Sequence, residues 1–190
     1  MTPLLDAYLP RYSYRELHSC DVAAAPRTII EAAAAYQPDS DPLYRRMIAL
    51  REMPMRLGMQ SAGTKSNRPA PFGFQNFTLL ERRDDVGLAY GLIGRFWRTN
   101  FGLVSVPDAD AYLHFSEPGV AKLALGFSVS EGPGGSRRLT TETRVFCPDL
   151  SSRLKFAPYW YLIRPVSGLI RHRALSAIKR ASEEAAAGAI

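Results

Sequence analysis

The stretch VAKLALGFSVSEGPGGSRRLTTETRVF, residues 120–146, decides the reading of the chain. From Val120 to Val129, Leu123, Leu125, Phe127 and Val129 point one way, and Lys122, Ala124, Gly126 and Ser128 point the other. A period of two describes a β-strand with one apolar face. Glu131-Gly132-Pro133-Gly134-Gly135 supplies turn chemistry, and Arg138 to Phe146 returns, so the two runs read as an antiparallel hairpin.

Upstream, Glu117-Pro118-Gly119 suits a three-residue hairpin loop with glycine in the left-handed position. Ala109 to Ser116 is then expected as a strand, with Leu113 opposite Leu123 and Ala111 opposite Leu125. Phe74 to Arg82 and Gly87 to Phe96 are two further strand-like runs bounded by turn residues. Strands joined in series by turns make an antiparallel meander and not a βαβ sheet. Earlier still, Tyr12 to Cys20 is β-compatible. Pro26 opens a short helix through Thr28 to Ala35, and Asp41 caps a second one with Leu43, Met47 and Leu50 on its apolar face. Ser61 to Gly73, rich in Gly, Pro, Ser and Asn, reads as a long mobile loop.

Downstream the period changes. Asp149 or Ser151 caps a helix near Leu150, and Ile163, Val166, Leu169, Ile170, Ala174, Ala177, Ile178 and Ala181 form its stripe. Pro165 lacks an N–H and is expected to kink the helix or restart it. The fold class expected is α+β: a curved antiparallel sheet of about six or seven strands wrapped around a long C-terminal helix, in one domain spanning 1–190.

Composition limits the function classes. With 46% hydrophobic and 22% charged residues, a chain of 190 residues forms an ordinary core without disulfides or metal. Cys20 and Cys147 are too few for a disulfide framework or zinc site and read as reduced thiols. No signal peptide or membrane span is legible, so the expected location is the cytoplasm. Basic charge belongs to the C-terminal segment: residues 150–190 hold seven basic and two acidic side chains, against 17 and 16 before them. One basic helix is a poor basis for nucleic-acid binding, so none is expected. It could instead meet an anionic membrane surface through Arg164, Arg171, Arg173, Lys179 and Arg180.

The order of elements, together with Phe115-Ser116-Glu117-Pro118-Gly119, Leu139-Thr140-Thr141-Glu142-Thr143-Arg144, Tyr159-Trp160-Tyr161 and Pro165-Val166-Ser167-Gly168-Leu169-Ile170-Arg171, resembles the helix-grip superfamily. That superfamily (START and Bet v 1-like, or SRPBCC) includes polyketide cyclases, and Phe115 to Arg173 resembles a bacterial branch of it. The resemblance implies an apolar cavity between sheet and helix, used for lipids, steroids, polyketides or quinones. Its motifs mark a fold, and no catalytic role transfers with them.

No nucleophile motif, phosphate loop or metal-ligand spacing is present. His18 and Cys20 share a strand face without further ligands in view. Asp110, Tyr112, His114 and Ser116 form a polar file on the expected strand, either a solvent face or a row of acid–base groups. Glu142 and Arg144 share a strand face and can pair, as a head-group anchor if they face the cavity. The aromatic surplus is the stronger sign, since such residues fill cores but also line pockets.

The leading expectation is a binder or carrier of a small apolar ligand, of lipid, polyketide or quinone type, in an internal cavity of at least several hundred Å3. Phe77, Leu79, Tyr90, Trp97, Leu123, Leu125 and Tyr159 are the expected lining, with no cofactor, metal or catalytic residue. Two other readings stand beside it. One is a cyclase- or dehydratase-like enzyme on a polyketide or aromatic substrate, with His114, Tyr112 or Glu142 as candidates. The other is an accessory protein docked on anionic membrane through the basic C-terminal helix.

Overall fold

The structure, a computed structural model, describes residues 4–37, 73–98 and 100–188. The expected helix from Asp41 and all of the Ser61–Gly73 loop except its last residue lie outside the described residues. Five antiparallel strands form one open, curved sheet in the order β1-β5-β4-β3-β2. They are β1 (Tyr14–Val22), β2 (Thr78–Arg83), β3 (Gly87–Gly94), β4 (Ala121–Glu131) and β5 (Arg137–Phe146). The helices are α1 (Pro26–Ala35), α2 (Ala109–His114) and α3 (Leu150–Ala187). The described strands thus number five, below the six or seven expected.

The β4–β5 hairpin is the one read from sequence, with Leu125 opposite Thr143 and Val129 opposite Leu139. Its turn needs glycine because Gly134 and Gly135 have φ of 61° and 83°, which side chains with a Cβ rarely adopt. β1 adds to the far side of β5, with Glu16 opposite Thr143.

One strand expectation fails. Ala109 to Ser116 does not pair with β4; that place belongs to β3, where Leu92 lies opposite Leu123. The segment forms α2 instead. Asp108 caps it by accepting from the Ala111 N–H at 2.8 Å. At its other end, Lys122 Nζ donates to the Leu113 and Phe115 carbonyls at 3.2 and 3.3 Å. Tyr112 is driven fully into the protein, against Gly91, where a Cβ would sit 2.6 Å from its ring. A cap, a basic side chain on the final carbonyls and a buried aromatic together outweigh an eight-residue alternation. Gly119 does take the left-handed conformation, with φ 70°, but it leads from α2 into β4 and closes no hairpin.

The sheet is covered on both faces. One face packs Leu88, Tyr90, Leu125, Phe127 and Leu139 against Ile29 and Ile30 of α1 and Leu175 and Ile178 of α3. The other face packs Leu80, Ala89, Ile93 and Ala124 under Tyr112 and the N-terminal turn Leu4–Asp6. α3 begins at Leu150 as read, with Asp149 as cap: its carboxylate accepts from the Ser152 N–H at 2.7 Å. It is one continuous helix of 38 residues containing both Pro158 and Pro165, so Pro165 does not start a new one. Among the described residues no helix is long and apolar enough to cross a membrane.

Candidate functional site

The site is the cleft between the sheet and the first two-thirds of α3. Helical spacing turns Phe156, Tyr159, Trp160, Ile163, Val166, Ser167 and Ile170 toward the sheet, while strand alternation brings up Leu123, Leu125, Phe127 and Thr143. Phe74, Phe77 and Tyr36 close one side, and Phe96 another. The rings brace one another. Phe156 packs with Trp160 at 5.9 Å and with Tyr159 at 5.6 Å between centroids, and Phe74 stacks on Phe77 at 5.6 Å.

The cleft encloses about 100 Å3. This is smaller than the several hundred Å3 expected. For scale, a dry cavity of roughly 150 Å3 holds benzene.

Of the expected lining residues, Phe77, Leu123, Leu125 and Tyr159 border the cleft. Tyr90 does not border it. It is buried on the same sheet face behind Phe74, with rings 4.7 Å apart, and burial raises its phenol above the usual tyrosine range. Leu79 lies opposite Tyr90 on the edge strand and is half exposed. Trp97 packs on the Phe96 and Phe156 cluster without reaching the cleft.

The three acid–base candidates are elsewhere. Tyr112 is buried on the far face, away from the cleft, and burial pushes its phenol well above the usual range. His114 is exposed on α2, its Nδ1 2.9 Å from the Asp110 carbonyl. The polar file therefore does not exist as a face. Glu142 and Arg144 do pair, at 2.7 Å, but on the face away from α3. There Arg144 also reaches Asp6 and the Leu9 carbonyl, and Glu142 accepts from Arg15. That network fastens the N-terminal segment to the sheet and has no access to the cleft.

The polar group that does border the cleft side of the sheet went unread in the sequence. Glu16 on β1 is buried, and its Oε1 accepts from His18 Nε2 at 2.8 Å. Its Oε2 has no hydrogen-bond partner among the described residues. The His18 ring meets the His172 ring of α3 at 4.7 Å, edge to face. Gly168 makes room for this group, since a Cβ there would sit 3.3 Å from Glu16 Oε1. Thr143, the cross-strand neighbour of Glu16, lines the cleft with a buried hydroxyl that has no hydrogen-bond partner among the described residues, and Arg171 lines it from α3. The readable signal was parity: Glu16, His18 and Cys20 share one face of β1, and only the last two were paired in the reading above.

Chemically, the arrangement offers an apolar slot with polar atoms along one wall. The buried carboxylate–imidazole pair, on the same sheet face, lines a separate open groove with Tyr161, Arg164, Gly168 and His172. No group of three His, Cys, Asp or Glu side chains able to hold a metal occurs among the described residues. Comparison of the chain with protein-family models, with curated proteins and with solved structures found no match in any of the three.

Proposed function

We propose that the chain is a single-domain helix-grip protein of the cytoplasm that binds and carries a small apolar molecule between its sheet and α3. The observation that carries this reading is the wall composition of the cleft: eight aromatic rings, from Tyr36, Phe74, Phe77, Phe96, Phe127, Phe156, Tyr159 and Trp160, beside Leu123 and Leu125. Ligand sites are commonly built this way, with a few polar atoms to fix orientation. Thr143 Oγ1 and Arg171 supply those atoms. Two free cysteines suit a reducing compartment.

A volume of about 100 Å3 sets the size of guest. That is below the roughly 150 Å3 that holds benzene, so a ring, quinone or polyketide enters the partly open cleft with the rest of the molecule outside unless α3 moves. The experiment is native mass spectrometry of gently purified protein before and after organic extraction. One apolar molecule per chain, lost on extraction and regained on adding it back, supports the proposal. A bare mass, with no uptake of small aromatics or short fatty acids, sinks it.

A second reading, acid–base catalysis on the bound molecule, rests on one observation, the buried Glu16–His18 pair beside Thr143. Carboxylate-oriented histidine is a common proton-transfer device. Glu16→Gln keeps the shape and removes the charge. Under the catalytic reading it abolishes turnover of a bound ligand while leaving its affinity intact, whereas a carrier shows no turnover in either form.

A further inference from the structure

The first two-thirds of α3 present an apolar face that no described part of the protein covers. Leu150, Leu154, Tyr161 and Leu162 are 70%, 63%, 66% and 60% exposed. Leu150, Leu154, Pro158, Tyr161, Pro165 and Leu169 follow at steps of three or four residues, all exposed, so they share one face. Phe156, Trp160, Ile163 and Ile170 occupy the opposite side and enter the cleft. A surface helix normally turns polar residues outward. Here both faces are apolar.

Charge says what suits the outer one. Residues 150–173 contain Arg153, Lys155, Arg164, Arg171 and Arg173 and no carboxylate. Arg153, Lys155, Arg164 and Arg173 are exposed beside the apolar face. The helix end differs, because Lys179 bonds Glu183 at 2.9 Å and the Asp21 carbonyl, and Arg180 faces Glu184 at 3.9 Å. The carboxylate just before the helix, Asp149, is taken up by the N–H groups of Gly119 and Ser152. Among the described residues, Arg153, Lys155 and Arg164 therefore lie along the exposed leucines with no carboxylate in the same stretch of helix, unlike the basic residues at the terminus.

We propose that residues 150–173 of α3 dock the protein on an anionic lipid bilayer. The leucines and Tyr161 enter the boundary between headgroups and acyl chains, and Arg153, Lys155 and Arg164 contact the anionic headgroups. An apolar face flanked by cations is the chemistry of helices that lie in a membrane interface, and tyrosine suits that depth through its apolar body and polar tip. A second copy of the chain fits the face less well, since self-packing would bring like charges together with no acidic side chain in the segment to offset them. The inference stands independently of the ligand reading, although the same helix walls the cleft and would bring it to the bilayer surface.

The test is flotation of the full chain with vesicles of phosphatidylcholine alone and of phosphatidylcholine mixed with phosphatidylserine. Two variants accompany it: Arg153→Gln/Lys155→Gln/Arg164→Gln, and Leu154→Ser/Tyr161→Ser/Leu162→Ser. All six positions are exposed, and circular dichroism checks that both variants fold. The native chain is expected on the mixed vesicles and not on the neutral ones, with binding that fades as salt rises. Removing three cations is expected to weaken it roughly a hundredfold, and the serine variant is expected to lose it. Absence of the native chain from mixed vesicles, or equal binding by the charge variant, overturns the proposal. So does a dimer in sedimentation velocity that the serine variant abolishes, because the face would then join two copies.

Discussion

His172 of α3 packs edge-on against His18 of β1, with ring centroids 4.7 Å apart, and Gly168 one turn earlier lies over the Glu16 carboxylate to which His18 is bonded. The helix is thus held against the edge of the sheet at a polar contact where Gly168 leaves close room for the carboxylate. Gly168→Ala gains roughly 1 kcal/mol in helix propensity but places a Cβ 3.3 Å from Glu16 Oε1, so the two effects nearly cancel. Gly168→Val is expected to lose about 1–3 kcal/mol by crowding. Urea unfolding of both variants measures the difference.

Arg144 predicts a larger loss on the other face. Its side chain is 3% exposed and holds Glu142, Asp6 and the Leu9 carbonyl. Arg144→Ala leaves buried acceptors with one cation fewer and is expected to cost about 3 kcal/mol. The N-terminal segment should loosen at the same time, read as faster tryptic cleavage after Arg11. Ligand affinity per folded molecule should stay unchanged, because this network lies away from the cleft.

The two thiols should behave differently. Burial pushes the Cys147 thiol up to about 12, while Cys20 is only half-buried and its thiol, though also raised by burial, is held down in part by Lys179. Since the thiolate is the reactive form, iodoacetamide at neutral pH should label Cys20 slowly and Cys147 only after unfolding. Peptide mapping of the native protein that finds Cys147 modified first would contradict the packing described.

Asp149 makes the helix cap sensitive to acid. Bonds from the Ser152 and Gly119 N–H groups hold its carboxyl below the usual aspartate range. A pKa depressed by folding contributes stability that is fully present above the unfolded value, about 3.9, and lost as pH falls through the folded value. Asp149→Asn should therefore flatten the fall of stability in that acid window and leave its slope near neutrality unchanged. Thermal unfolding across that range checks it.

How much was legible follows from which patterns have one solution. The β4–β5 hairpin was readable because ten residues of strict alternation and a glycine turn admit a single register, and α3 because Asp149 and a long stripe agree. Ala109 to Ser116 was misread because eight residues can satisfy either period, and the deciding contacts, Lys122 on the helix end and Tyr112 on Gly91, are distant in sequence or need the fold to exist. At the candidate site, Phe77, Leu123, Leu125 and Tyr159 border the cleft because aromatic and alternating positions point inward on whichever face is buried. Glu16 and Thr143 were missed because a polar residue on a strand reads as solvent-facing until a helix is laid over it. Tyr90 and Leu79 show the remaining gap: both lie on the correct face, yet lining a cleft depends on where α3 ends up, which parity alone does not fix.

The most direct test of the central claim uses Trp160, which lines the cleft, in a Trp97→Phe protein where it is the sole tryptophan. Fluorescence is titrated with bromobenzene, a small apolar quencher, in this protein and in the same protein carrying Val166→Phe to fill the slot. The account predicts saturable quenching at one molecule per chain in the first and its loss in the second. Quenching that rises without saturation, equally in both, would contradict it.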